Sequence, residues 1–184
     1  MAINIPESTP SDFPELPVGS YQASIAGVWD IGVHKSEWQG DVKYNHQVIV
    51  CYEFSETIPT GDYAGDKYTV NRWVNLPKSF DDRSKFIQLR NAAESRATTA
   101  ADYINYDEQG LIGKNVLVNV EHTPKGKPKI VSDSPLIKGM PPLIPTKSPE
   151  MPKWVKENFL DKAIQEGGTQ APQQSAAPQD DLPF

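Results

Sequence analysis

The chain has 184 residues, of which 38% are hydrophobic, and its formal net charge is −6. This length suits one domain with extended arms, and no run approaches the roughly 18 apolar residues of a membrane-spanning helix. The N-terminus has no basic region followed by an apolar stretch, so we expect no signal peptide and a cytoplasmic protein. The single cysteine, Cys51, excludes an internal disulfide and lies in an apolar run typical of a buried strand.

The excess negative charge is in the terminal segments. Residues 1–18 hold three acids and no base, residues 141–184 hold six acids and four bases, and residues 19–140 hold fifteen acids and fourteen bases. Phosphates repel acidic tails, so such tails on a nucleic-acid-binding protein would remain available to other proteins. Phosphate binding by the near-neutral centre would depend on local placement of charge.

The first half of the chain predicts three strands. Residues 1–18 are rich in proline and polar residues and are expected to form a flexible N-terminal arm. From Gly19 a period of two runs to Val33 and predicts a strand with Trp29 on its buried face. A polar connector containing Trp38 follows, and then strands are predicted over 43–56 and 67–76.

The period then becomes helical. Ser79 and Asp82 have the spacing of a capping box, which predicts a helix that ends near Arg96. Thr99 and Asp102 repeat that spacing before a short segment, and strands are predicted over 114–122 and 128–132. The order suits a mainly β fold, a five-stranded oligonucleotide-binding (OB) Greek-key barrel with a helix between strands 3 and 4. An open sheet with one helix on it is the competing layout.

The C-terminal third predicts an arm and a tail. Six prolines between residues 135 and 152 favour an extended, stiff segment, which could lie on a neighbouring subunit. Residues 153–165 form a plausible amphipathic helix that would either cap its own barrel or dock on the next one. We assign 141–166 to this Pro-rich arm and helix. The tail, 167–184, is expected to be disordered because it has too little apolar surface to fold.

The chain ends in two carboxylates and a small apolar plug: Asp180, Asp181, Leu182, Pro183 and Phe184. A partner would need a hydrophobic pocket for the Phe184 ring, a cation for its terminal carboxylate and a basic rim. This ending resembles the C-terminal tip of bacterial single-stranded-DNA-binding proteins (SSBs), which recruits replication and repair enzymes. The alternative is a terminus that has no partner.

The centre of the chain resembles the OB-fold ssDNA-binding proteins of tailed bacteriophages. The matching segments lie between residues 19 and 140, and they read GSYQA (19–23), YTVNRWVNL (68–76), LRN (89–91), LIGK (111–114), VNVEH (118–122) and PLIKG (135–139). The resemblance implies an OB-fold domain over 19–140 that coats ssDNA with little sequence preference during phage DNA replication, recombination or repair. The alternative function is a non-enzymatic interaction or virion component that uses the barrel as a scaffold.

Single-stranded DNA is held by stacking of bases on aromatic rings and by cations along the backbone. Trp73 is the best candidate because it shares a strand face with polar residues only. Its neighbour Arg72 falls on the apolar face and must be exposed by a bulge or ion-paired. Trp38 is a second stacking candidate or a lid on the core. The further candidates, with other interpretations as rim packing or solvated surface, are Tyr44, Tyr68, Lys35, Lys43, Lys67, Lys125, Lys127 and Lys129.

Catalysis is not expected. His34, His46 and His122 are isolated and show none of the short His/Cys spacings of a zinc site. The sequence has no phosphate-cradling glycine loop. We therefore predict a binding protein that uses neither a metal nor an organic cofactor.

Overall fold

The protein has a mainly β fold built on one open antiparallel sheet. The structure, a computed structural model, describes residues 14–164. Five strands pair in the order β3-β2-β1-β4-β5. Their bounds are Gly19–Trp38 (β1), Asp41–Thr57 (β2), Lys67–Asn75 (β3), Asn115–His122 (β4) and Pro128–Pro135 (β5). The helices are Lys85–Glu94 (α1), Ala100–Tyr103 (α2) and Lys153–Asn158 (α3), with 3-10 turns at Glu108–Leu111 and Leu160–Lys162.

These bounds confirm the predicted five strands and the helix between the third and fourth strands. No helix within residues 14–164 has the length and apolar character to cross a membrane.

The β1–β2 hairpin is longer than predicted. It reverses direction at Gln39 and Gly40, which both have positive φ (51° and 86°), the combination that suits a two-residue hairpin turn. Trp38 therefore ends β1 opposite Asp41. The prediction of a polar connector around Trp38 was wrong, because strand pairing continues through those polar residues to the turn.

Two irregularities of β1 move its side chains from one sheet face to the other. The register with β2 shifts between Ile25 and Gly27 and again between Asp30 and Gly32. Each bulge adds one residue, so the side chains that follow it point to the opposite face. As a result Ile25 packs into the main core, whereas Trp29 is buried in a second cluster on the outer face. The predicted burial of Trp29 is confirmed. The strict alternation predicted that Trp29 and Ile25 share one face of the strand, and this was wrong.

The main core lies between the inner sheet face and α1. Tyr52, Phe54, Phe86 and Leu89 are buried there. Leu16 is also buried in this core, so the predicted flexible arm cannot extend to residue 18. Residues 1–13 lie outside the described part of the chain.

Helix α1 begins later than predicted. Its N-cap is Ser84, whose hydroxyl accepts a hydrogen bond from the Phe86 N–H (3.2 Å). The predicted cap at Ser79 was wrong, because Asp81 instead accepts from the Arg83 N–H in a turn before the helix. The second predicted cap is confirmed: Thr99 and Asp102 form a reciprocal capping box at α2.

The segment after β5 packs on the outer face of its own sheet. The Asn115 side chain bonds both the N–H and the carbonyl of Leu143 (2.7 and 2.9 Å). The indole N–H of Trp29 donates to the Pro149 carbonyl (2.9 Å), and Ile164 forms an isolated bridge with Val33. The segment therefore packs on its own chain. The predicted helix over 153–165 is shorter, because α3 ends at Asn158 and a 3-10 turn follows.

Glu53 holds this segment in place. Its fully buried carboxylate accepts hydrogen bonds from the Thr146 N–H (2.8 and 3.1 Å), the Lys147 N–H (2.8 Å) and the Thr146 hydroxyl (3.0 Å). It also pairs with the Lys67 ammonium at 3.1 Å. Burial by itself would raise the pKa of Glu53, but these hydrogen bonds outweigh it and the pKa is lowered.

Candidate nucleic-acid interface

The outer face of β3 presents Trp73. Alternation along the strand buries Val70 and Val74 and turns Thr69 and Trp73 outward. Trp73 is 45% exposed, and one side of its ring packs against Phe159 at a centroid distance of 5.6 Å and an interplanar angle of 58°. The predicted orientation of Trp73 is confirmed.

Two adjoining cavities flank Trp73. The first has a volume of about 610 Å³ and lies between β2, β3 and the start of α1, where its lining includes Tyr44, Lys78 and Lys85. The second has a volume of about 490 Å³ and extends toward the β4–β5 turn, where its lining includes Lys129. Trp73 and Lys85 line both cavities, so together they form one continuous surface. We call this surface the β3 groove.

The β3 groove is positively lined although the protein is acidic. Lys78, Lys85 and Lys129 are exposed, and none of them forms a salt bridge within residues 14–164. No acidic residue of that range lines either cavity. The N-terminus of α1, with Ser84 as its cap, also lies at the groove and adds the positive end of a helix dipole. The groove can therefore attract an anion.

The structure gathers some predicted residues and separates others. Tyr44, 53% exposed, lines the same cavity as Trp73. Trp38 and Lys43 are exposed near the end of the β1–β2 hairpin and do not line the β3 groove. Lys35, the cross-strand partner of Tyr44, pairs with an exposed glutamate at 3.3 Å.

Three other candidates, Tyr68, Lys67 and Lys127, are engaged within the fold. Tyr68 is buried in the core, because the alternation that exposes Trp73 turns Tyr68 inward, so its ring offers no face to a base. Lys67 is committed to Glu53. In the β4–β5 turn, Lys127 pairs with Glu15 (Nζ to Oε1, 2.6 Å), while Lys125 is exposed and forms no salt bridge within the described range.

Arg72 is a structural residue. Of the two outcomes open from the sequence, it is ion-paired, with Asp133 of β5, and its side chain is only 12% exposed. The Tyr52 hydroxyl donates to the same carboxylate (2.8 Å), and burial followed by the charge of Asp133 raises the pKa of Tyr52. Burial would lower the pKa of Arg72, but Asp133 and Tyr52 raise it. Its charge joins the two edge strands of the sheet, and its side chain also lines the second cavity of the β3 groove.

Sequence reasoning missed Lys78 and Lys85. A signal was present for Lys85, which stands in the first turn of α1, where a cation opposes the helix dipole and an acidic residue is usual. A lysine there therefore does not stabilise the helix through its charge. Lys78 carried no comparable signal, because it lies in an irregular segment whose path the pattern does not predict.

Cys51 is buried in the outer-face cluster. Burial, followed by the charge of Glu53, raises the pKa of the Cys51 thiol to about 12, so the thiol stays protonated near neutral pH. No group of three metal-ligating side chains occurs among residues 14–164. The predicted tip, Asp180–Phe184, lies outside the described residues.

No family model matches the chain, and no curated protein is significantly similar to it. Functional inference for this chain therefore depends on the β3 groove itself.

Proposed function

We propose that this chain is an ssDNA-binding protein whose sheet forms an OB-type barrel. The strand order supports this topology, because an OB barrel has β1 between β2 and β4 and must bring β3 and β5 together. The ion pair between Arg72 of β3 and Asp133 of β5 links these two edges, and Tyr52 of β2 joins the same carboxylate. OB barrels bind oligonucleotides on the face of strands 2 and 3 and at the flanking loops, which is where the β3 groove lies.

The main support for ssDNA binding is that Trp73 is half-exposed in the β3 groove. Lysines line this groove, and no acidic residue of the described range does. A base stacked on an exposed ring gains about 1–3 kcal/mol whatever its identity, because every base has a π face. Lysines beside the ring can follow the phosphates. This combination suits unpaired DNA that is coated with little sequence preference.

The remaining expectations complete the proposal. The protein would coat ssDNA during phage replication, recombination or repair in the cytoplasm of the bacterial host. The tip, Asp180–Phe184, would recruit phage or host enzymes by placing its terminal ring in a hydrophobic pocket with a basic rim. No catalytic step is assigned to this chain.

Titration of labelled oligo-dT at two salt concentrations tests the proposed function. The unmodified chain should bind, and higher salt should weaken binding with a modest slope because few lysines line the groove. Trp73→Ala should raise Kd by about 5- to 150-fold, which corresponds to the loss of one stacked base. Ile137→Ala is a matched control, since Ile137 is an exposed apolar side chain that lines neither cavity of the groove.

The alternative, a scaffold component, predicts no binding by the unmodified chain. Such a result would refute the proposed function. If the chain binds but Trp73→Ala has the same Kd, then Trp73 is not in the interface. Urea unfolding of each variant shows whether a lost contact with Phe159, rather than a lost base, explains weaker binding.

The tip is tested separately. Removal of residues 180–184 should leave the Kd for oligo-dT equal or lower, because the deletion removes two carboxylates that repel phosphate. The same deletion, and Phe184→Ala alone, should abolish binding of host replication and repair enzymes in pull-down experiments. Enzymes that are still captured by both variants would contradict a recruiting role for the tip.

A further inference from the structure

Three aromatic rings extend from the β3 groove onto the segment that follows β5. Trp73 of the sheet packs against Phe159, and Phe159 packs against Trp154 of α3 at a centroid distance of 6.2 Å and an interplanar angle of 79°. Trp73 and Trp154 remain 45% and 41% exposed. Because the contacts between the rings are tilted or edge-on, the exposed parts of the two tryptophans are available to other flat groups.

A third cavity lies beside Trp154. It has a volume of about 420 Å³ between the sheet and the overlying segment, and its lining includes Trp154, Lys147, Glu150 and Asn71. Asn71 also lines the second cavity of the β3 groove, so the two spaces adjoin. Lys147 is exposed and forms no salt bridge within residues 14–164. The third cavity thus repeats the combination of an exposed ring and a free cation, although Glu150 makes it less positive than the groove.

Trp154 is held on a fixed platform. On the same helix Val155 is fully buried in the outer-face cluster. Before the helix, the Trp29 N–H bonds the Pro149 carbonyl, and Glu53 binds the backbone of Thr146 and Lys147. Releasing this segment would expose apolar side chains and leave the Glu53 charge without its partners. Trp154 is therefore positioned in advance, which lowers the entropic cost of stacking a base on it.

We infer that ssDNA in the β3 groove continues onto the segment after β5, where Trp154 stacks a further base and Lys147 contacts a phosphate. This inference rests on the proposed function. The segment after β5 would then be part of the binding site. The site would be longer than one formed by the sheet alone. Phe159 is a positioning residue in this arrangement, because it supports both tryptophans from between them.

The test uses the full chain and a series of oligo-dT lengths. Trp154→Ala should bind the shortest oligonucleotides like the unmodified chain, since they fill only the groove. It should bind longer ones about 5- to 150-fold more weakly. Trp154→Phe should restore most of the difference by supplying another flat ring. Ile144→Ala is the matched control, because Ile144 is an exposed apolar residue of the same segment that does not line the third cavity.

A second variant keeps the test decisive if Trp154→Ala unfolds more easily. Lys147→Gln leaves the backbone N–H to Glu53 intact and should reduce the salt slope for long oligonucleotides by about one. If Trp154→Ala and Lys147→Gln both match the unmodified chain at every length while Trp73→Ala binds weakly, the inference is overturned and the proposed function stands. If the unmodified chain binds no oligo-dT, the proposed function fails first.

Discussion

Glu53→Gln should destabilise the fold by releasing the segment after β5. The carboxylate of Glu53 accepts two backbone N–H groups and one hydroxyl and pairs with Lys67. Glutamine keeps one acceptor oxygen, but its amide NH₂ would face an N–H donor, and Lys67 would lose its counter-charge. A hydrogen bond to a charged group contributes about 1.5–3 kcal/mol, so we expect a loss of about 2–4 kcal/mol.

Urea unfolding at pH 7, followed by tryptophan fluorescence, measures this loss. A change of about 3 kcal/mol should also lower Tm by roughly 6–12 °C for a chain of this size. Glu37→Gln is the matched control, because Glu37 forms an exposed pair with Lys35 at 3.3 Å and should contribute at most about 1 kcal/mol. Equal urea midpoints for Glu53→Gln and the unmodified chain would refute the assigned role of Glu53.

The pH dependence gives an independent check. The pKa of Glu53 is lower in the folded state than its ordinary value of 4.5, so its stabilisation is fully present above that value. It is lost as the pH falls through the folded-state pKa. The difference in unfolding free energy between the unmodified chain and Glu53→Gln should therefore shrink on acidification below about pH 4.5. A difference that grows in acid would contradict the direction of the shift.

Three further outcomes are expected. Lys85→Gln should weaken oligo-dT binding and reduce the salt slope by about one, whereas Lys35→Gln, on the hairpin, should change neither. Asp133→Asn should lower the free energy of unfolding in urea by about 3–5 kcal/mol, because it leaves the Arg72 charge largely buried without its partner. A chain cut after residue 140 should unfold at lower urea than one cut after 166, because only the shorter one loses the cover of Trp29.

Much of the sheet could be predicted because alternation is a local property. The strands over 43–56, 67–76 and 114–122 were placed within two residues of their observed ends. The change of face along β1 was not predictable in the same way. The position of a bulge depends on the curvature of the whole sheet, which local alternation does not describe. Gly27 was a partial signal: a Cβ there would lie 2.9 Å from the Trp29 ring. The helix start was missed since Ser79 and Ser84 both precede acceptable helical sequence, and only packing selects between them.

The residues of the candidate site were predicted where strand alternation determines their placement, and Lys78 and Lys85 were missed. The exposure of Trp73 follows from strand alternation. The same alternation placed Arg72 on the apolar face but left exposure by a bulge and ion pairing both open. Lys78 and Lys85 come from a segment whose path depends on the packing of α1. The sequence contains one signal for the packing of the segment after β5. This signal is Glu53, an acidic residue in the otherwise apolar run 48–54. A buried carboxylate there requires donors, and they come from Thr146 and Lys147.

The placement of charge explains how an acidic chain can contain a groove lined by lysines. Residues 19–140 contain nearly equal numbers of acids and bases, which by itself suggests no net attraction. In the structure, however, two buried carboxylates are paired within the fold. Glu53 binds Lys67 and the segment after β5, and Asp133 binds Arg72 and Tyr52. The lysines of the β3 groove are left without such partners within the described range. At physiological salt, interactions between exposed charges are screened beyond a Debye length of roughly 8 Å. The electrostatic potential on a ligand in the groove would therefore be set by these nearby lysines rather than by the net charge of −6.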